Sequence, residues 1–62
     1  MTLEEQIWED LVSRKKFCSA KQISRKLMIS MTHVKTVLNN YHQRGILDKV
    51  VRDKTNFYRI KP

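Results

Sequence analysis

Apolar residues recur at helical spacing in the first fourteen positions of the chain. Thr2 and Glu5 precede most of them at the spacing of a capping box, in which each side chain accepts a bond from the other residue's backbone N–H. The pattern predicts a first helix over residues 3 to 14, with Trp8 packing on the core beside Val12. The apolar positions of its inner face are Leu3, Ile7, Trp8, Leu11 and Val12.

A second start signal follows a short polar, cationic connection. Ser19 and Gln22 repeat the capping-box spacing, and Cys18 and Ile23 occupy the two positions of a hydrophobic staple. The pattern predicts a second helix over about residues 20 to 28. A staple residue packs against the helix that it precedes, so a structural role is favoured for Cys18 over a redox or nucleophilic one.

Residues 26 to 30, with the sequence KLMIS, contain neither glycine nor proline. The chain could therefore continue as one long helix or form two helices that meet at a corner. Ser30 is a good N-cap residue, and Ile29 and Val34 again have staple spacing. A restart is therefore favoured, with a third helix over about 31 to 43 and a corner before it. The helix is expected to end at Gly45, the one glycine of the chain, in a left-handed conformation. Its inward positions are Val34, Val37, Leu38 and Tyr41.

Beyond the glycine the apolar period changes to that of strands. β-branched and aromatic residues predict strands near 47 to 51 and 57 to 61, joined as a hairpin. Tyr58 and Ile60 fall on one face and are expected to close the core, while Phe57 takes the other face with Arg59. The connection is expected to be a polar loop rather than a minimal Asn-Gly turn. It contains Arg52, Lys54, Thr55 and Asn56.

Size and composition limit the functions that such a chain can perform. Its 62 residues form one expected domain, 1 to 62, which buries only about 60% of its unfolded surface and has little room for a catalytic cleft. We therefore expect no enzyme activity and no cofactor. Cys18, His33 and His42 lack the spacing of a metal site. There is no long apolar run and no signal segment, so a cytoplasmic protein without a membrane partner is expected.

The distribution of charge is more informative than the net charge of +7. Four of the six acidic residues lie in the first ten positions. Residues 11 to 62 carry 13 basic and 2 acidic side chains, and 13 − 2 gives +11. Such a field favours a polyanionic partner, with nucleic acid first and an anionic membrane surface second. Ordinary solvated charge is the alternative interpretation.

The order of helix, helix, corner, helix and hairpin resembles the winged helix-turn-helix domains of bacterial and phage transcriptional regulators. The residues that carry the resemblance are Ala20, Ile23, Leu27, Ile29, Ser30, Val34, Leu38, Gly45, Ile46 and Leu47. The resemblance implies an α+β fold, mainly α, with the C-terminal hairpin as the wing. Met28 departs from the family, which often has glycine in this turn. A left-handed methionine would cost about 1 kcal/mol or more.

The resemblance also implies that the third helix reads the major groove of duplex DNA. Asn can bond adenine, Lys can bond guanine, and Thr can contact a thymine methyl or a phosphate. The outward residues expected to read bases are Thr32, His33, Lys35, Thr36 and Asn39. The residues expected to contact the DNA backbone are Ser19, Lys21, Gln22, Arg25, Arg52 and Lys54.

A sequence-specific, double-stranded DNA-binding protein that acts as a small transcriptional regulator fits these features best. Winged helices also serve as protein-docking adaptors in transcription or replication, and RNA binding is a weaker third alternative. One domain of this size covers a single half-site, so a homodimer or a larger regulatory partner is expected.

Overall fold

Three helices and a three-stranded antiparallel sheet make up the fold in a computed structural model, which describes residues 2 to 62. The expected α+β architecture, mainly α with a C-terminal hairpin wing, is confirmed. Met1, the first residue of the expected single domain, lies outside the described residues. The elements are α1 (Leu3–Arg14), β1 (Cys18–Ser19), α2 (Ala20–Leu27), α3 (Met31–Gln43), β2 (Leu47–Arg52) and β3 (Thr55–Ile60).

The hairpin is extended by a strand that the sequence pattern did not predict. In the sheet order β1-β3-β2, Cys18 pairs with Tyr58 and Ser19 pairs with Phe57. Two residues are too few to show the alternation by which a strand is recognised. The pairing ties the start of α2 to the wing.

One apolar core lies between the helices and the inner face of the sheet. Both staple pairs of the sequence pattern belong to it, and Ile60 and Tyr41 pack against it half-buried, as expected. The buried members are Ile7, Leu11, Cys18, Ala20, Ile23, Ile29, Val34, Val37, Leu38, Leu47 and Tyr58.

The prediction for α1 was partly wrong, because two of its apolar residues are exposed. Val12 is 47% exposed and Leu3 is 44% exposed. At about 100° per residue, Val12 lies roughly 140° around the helix from Ile7, which is outside the buried stripe. Leu3 lies on the stripe but at the very start of the helix. Trp8 packs on the core as expected, with its ring edge-on against that of Tyr41.

Each of the three helices is followed within two residues by a residue in the left-handed conformation. These residues are Lys15 (φ 53°), Met28 (φ 56°) and Gly45 (φ 79°). After α3 the N–H of Ile46 donates to the carbonyl of Tyr41 at 3.1 Å, which is the Schellman pattern. The expected role of Gly45 is confirmed, but the other two ends use residues that carry a Cβ.

The corner between α2 and α3 is a Schellman end built on methionine. The N–H groups of Met28 and Ile29 both reach the carbonyl of Ser24, whose hydroxyl donates in turn to the carbonyl of Ile29. Helix α2 therefore ends one residue earlier than predicted. Met28 is 92% exposed, so the cost of its backbone conformation is offset by these hydrogen bonds and not by side-chain packing.

The start of α3 differs from the sequence prediction in one respect. Ser30 is in the N-cap position, but its side chain makes no capping hydrogen bond. Its carbonyl accepts the N–H of Val34 at 3.0 Å, and Ile29 and Val34 are both buried in the core. Apolar burial on either side of the corner therefore positions α3, without help from a side-chain cap.

The wing has a tighter turn than expected. Asp53 (φ 49°) and Lys54 (φ 62°) form a two-residue turn, and Arg52 pairs directly with Thr55. The predicted loop was wrong, because Arg52 belongs to β2 and Thr55 and Asn56 belong to β3. Both turn residues have positive φ, as a type I′ turn requires, and Asp accepts this conformation more readily than most residues.

A buried ion pair joins α1 to α2. The side chain of Asp10 is 2% exposed; its carboxylate lies 2.6 Å from Nε of Arg14 and 2.9 Å from Nζ of Lys26. Burial by itself raises the pKa of Asp10, but hydrogen bonds from Lys26 and Arg14 outweigh it and hold the pKa below its ordinary value. Asp10 is therefore charged at neutral pH and fixes the two helices to each other.

Candidate nucleic-acid interface

An open groove of about 430 Å³ lies between the start of α2, the side of α3 and the wing. It brings together elements that are far apart in sequence, because the β1–β3 pairing holds the wing against the first turn of α2. We call it the basic groove. Its lining residues are Ser19, Ala20, Lys21, Met31, Lys35, Asn39, Lys49, Lys54, Thr55, Asn56 and Tyr58.

Four lysines from four parts of the fold line the basic groove. Lys21 is in the first turn of α2 and Lys35 is on α3, while Lys49 is on β2 and Lys54 is in the turn of the wing. All four side chains are exposed. The N-terminus of α2 adds the positive end of its dipole to the same space.

The groove lining contains no acidic side chain. The three glutamates lie on α1, where they line a different pocket. Asp10 is paired with two cations of α1 and α2, and Asp48 lies 3.4 Å from a guanidinium nitrogen of Arg59. Asp53 is in the turn of the wing, next to the lining and outside it. Four lysines against this one neighbouring carboxylate leave the groove with a cationic field.

Two of the five residues expected to read bases line the groove. Lys35 and Asn39 are four residues apart on α3, so their side chains lie one turn apart on the same side of the helix. Thr32, His33 and Thr36 are exposed on α3 but outside the groove lining. The hydroxyl of Thr36 donates to the carbonyl of Thr32 at 3.0 Å, which leaves it as an acceptor only.

The residues expected to contact the DNA backbone are divided in the same way. Ser19, Lys21 and Lys54 line the groove, whereas Gln22, Arg25 and Arg52 do not. The Gln22 side chain accepts the N–H of Ser19 at 3.0 Å and the Ser19 hydroxyl accepts the N–H of Gln22 at 3.3 Å, so the capping box uses an acceptor oxygen of each side chain. Arg52 lies on the opposite face of the sheet.

Sequence reasoning missed several groove residues, of which Lys49 is the most important. It alternates with Leu47 along β2 and pairs with Tyr58, so it lies on the helix-facing side of the sheet. This alternation was visible in the sequence, but the strand was assigned from its apolar residues alone. The other groove residues that were missed are Ala20, Met31, Thr55, Asn56 and Tyr58.

The comparisons with protein-family models, with curated proteins and with solved structures found no match for this chain. Among residues 2 to 62, no group of three or more His, Cys, Asp or Glu side chains is arranged to hold a metal ion. No helix in that part of the chain has the length and apolar character needed to cross a membrane. What defines the molecule is a winged-helix layout with a cationic groove between its third helix and its wing.

Proposed function

We propose that this chain is a sequence-specific, double-stranded DNA-binding protein of the winged helix-turn-helix type and that it acts as a small transcriptional regulator. The observation that carries the proposal is the basic groove. It combines four lysines with the polar side chain of Asn39 on the exposed side of α3. A polyanion that bears hydrogen-bonding base edges fits this combination.

The proposed contacts follow from the position of each side chain. Helix α3 enters the major groove, where Asn39 bonds an adenine edge and Lys35 bonds a guanine edge. Lys21, in the first turn of α2, and Lys54, in the turn of the wing, contact phosphates next to that site. Lys49, on β2, neutralises a further phosphate.

The number of phosphate contacts sets the expected salt dependence. Neutralising the three phosphates assigned to Lys21, Lys49 and Lys54 gives a slope of log K against log salt of about −2.7, because each contact contributes about −0.9. Removal of one phosphate-binding lysine should make the slope less steep by about 0.9. A base-reading residue that is removed should instead reduce the preference for one sequence.

The experiment is a fluorescence anisotropy titration of labelled duplexes selected from a random pool, repeated across salt concentrations. Asn39→Ala should abolish the preference for the selected sequence, and Lys49→Ala should reduce the salt slope. Matched controls are Asn40→Ala, an exposed neighbour on α3 outside the groove, and Lys61→Ala, an exposed lysine near the end of the chain. If Asn39→Ala and Asn40→Ala have equal effects, the proposed reading of bases is wrong.

Two other functions use the same fold, and the same titration separates them. A protein-docking adaptor in transcription or replication predicts a weak, sequence-independent interaction with DNA. An RNA-binding protein predicts tighter binding to a single-stranded RNA pool than to duplex DNA of equal length.

A further inference from the structure

The face of the sheet opposite the helices is apolar and cationic. Phe17, Val50 and Phe57 are half-buried around a shallow pocket of about 300 Å³, which Arg52 also lines. We call these residues, together with Arg59, the outer sheet face. The helices pack on the other side of the sheet, where Leu47 and Tyr58 are buried.

The outer sheet face has a net positive charge. The guanidinium of Arg59 lies 4.6 Å from the centre of the Phe17 ring, and one of its nitrogens lies 3.4 Å from Asp48. Asp48 is thus matched by Arg59, and Arg52 has no carboxylate within ion-pair distance among the described residues. An apolar centre bordered by cations fits a partner surface with an apolar centre and an acidic border.

Helix α1 presents a surface of that kind. Trp8 is half-buried, with its ring centre 5.4 Å from that of Tyr41, and Val12 is 47% exposed one turn further along. Three exposed glutamates surround this apolar row. The α1 face, as we define it, consists of Glu4, Glu5, Trp8, Glu9 and Val12.

We propose that the α1 face of one copy of this chain docks on the outer sheet face of a second copy. The two surfaces are opposite in charge, each has an apolar centre, and they share no residue, so both are available on every copy. Neither includes a residue of the basic groove. Association through these two surfaces leaves the basic groove open. Because one domain covers only a half-site of DNA, the association also supplies the second domain that the proposed function requires.

The first test measures self-association without DNA, so it does not depend on the proposed function. Amide NMR spectra are recorded at low salt over a dilution series up to roughly 1 mM, the weak end of specific association. The expected concentration-dependent shifts lie in α1 and on the outer sheet face, and salt weakens them. Spectra without concentration dependence, or shifts confined to the basic groove, would overturn the proposal.

A pair of neighbouring variants on β2 separates the two faces of the sheet. Val50→Asp places a carboxylate on the outer sheet face and should weaken association at least tenfold. Val51→Asp is the control, because Val51 is 60% exposed and follows Val50 on the strand, so its side chain lies on the other face of the sheet, like that of its partner Asn56. This variant should associate like the wild type. Equal association of the two variants would overturn the proposal.

Charge reversal tests the complementarity directly. Glu9→Lys and Arg52→Glu each change an exposed side chain, and each variant alone should lose association because like charges meet. An equimolar mixture of the two should regain it, because the unchanged α1 face of the Arg52→Glu variant meets the unchanged outer sheet face of the Glu9→Lys variant, and the introduced lysine and glutamate attract each other in the opposite pairing. Lys61→Glu matches the charge change of Arg52→Glu but lies away from both surfaces, so this variant alone should associate like the wild type. A mixture of the two interface variants that stays monomeric contradicts the proposed pairing.

Discussion

The exposed methionine at the corner between α2 and α3 provides a sharp test of the fold. Met28 has φ 56° and ψ 42°, and 92% of its surface is exposed. Replacing it with glycine removes a Cβ from a left-handed residue without removing any packing. Met28→Gly is therefore expected to stabilise the protein, although glycine in general lowers the stability of helical segments.

The magnitude follows from two opposing terms. Relief of the left-handed conformation is worth about 1–2 kcal/mol. The greater freedom of glycine in the unfolded chain costs about 0.5–1 kcal/mol. The midpoints of the two ranges give a net gain of about 0.75 kcal/mol, which corresponds to a rise in Tm of about 3–6 °C for a domain of this size.

The assay is thermal and urea unfolding followed by far-UV circular dichroism. Met28→Ala is the control, because it removes the same exposed side chain but keeps the Cβ and hence the backbone cost. It should stay within about 0.5 kcal/mol of the wild type. If Met28→Gly is no more stable than Met28→Ala, the corner is not left-handed at this residue, and the outward residues of α3 would have to be reassigned.

Three further predictions concern the helix ends and the buried polar groups. Gly45→Ala should destabilise the protein by about 1 kcal/mol in the same unfolding assay, because alanine is strained at a φ of 79°. The cost should not be larger, because no atom lies within 4 Å of the added Cβ. Asp10→Asn should lower the free energy of unfolding by about 2 kcal/mol at pH 7. Because the pKa of Asp10 is lowered from 3.8 in the folded protein, the stabilisation by its carboxylate is complete above pH 3.8 and is lost as the pH falls through the pKa of the folded protein. The urea unfolding curves of the wild type and of Asp10→Asn should therefore converge in acid. Cys18 is fully buried, and burial raises the pKa of its thiol. Alkylation of Cys18 should therefore proceed only through unfolding and become faster when urea is added. Fast alkylation of the folded protein would refute the structural role of Cys18.

Much of the fold was predictable because its signals are local. The capping boxes at Thr2 and Ser19 and the late Gly45 set helix ends through neighbouring residues. The features that were missed depend on distant partners. Strand β1 exists because Cys18 and Ser19 pair with Tyr58 and Phe57 near the other end of the chain, and the tight wing turn exists because the two hairpin strands pair in register up to its edge.

The candidate site was predictable to a smaller extent for the same reason. The outward side of α3 follows from its own periodicity, so Lys35 and Asn39 were found. Which outward residues share a groove with the wing depends on the path of the hairpin, and the sequence pattern does not specify it. Lys49 was missed although its alternation with Leu47 was visible, and Arg52 was expected in the loop but lies on the sheet face opposite the groove.

An amide NMR titration of the protein with duplex DNA at low salt shows directly whether the basic groove binds DNA. Saturable shifts are expected at Lys21, Lys35, Asn39 and Lys54. Duplex DNA that leaves α3 and the wing unperturbed, or that perturbs α1 and not the basic groove, would contradict the proposed DNA binding.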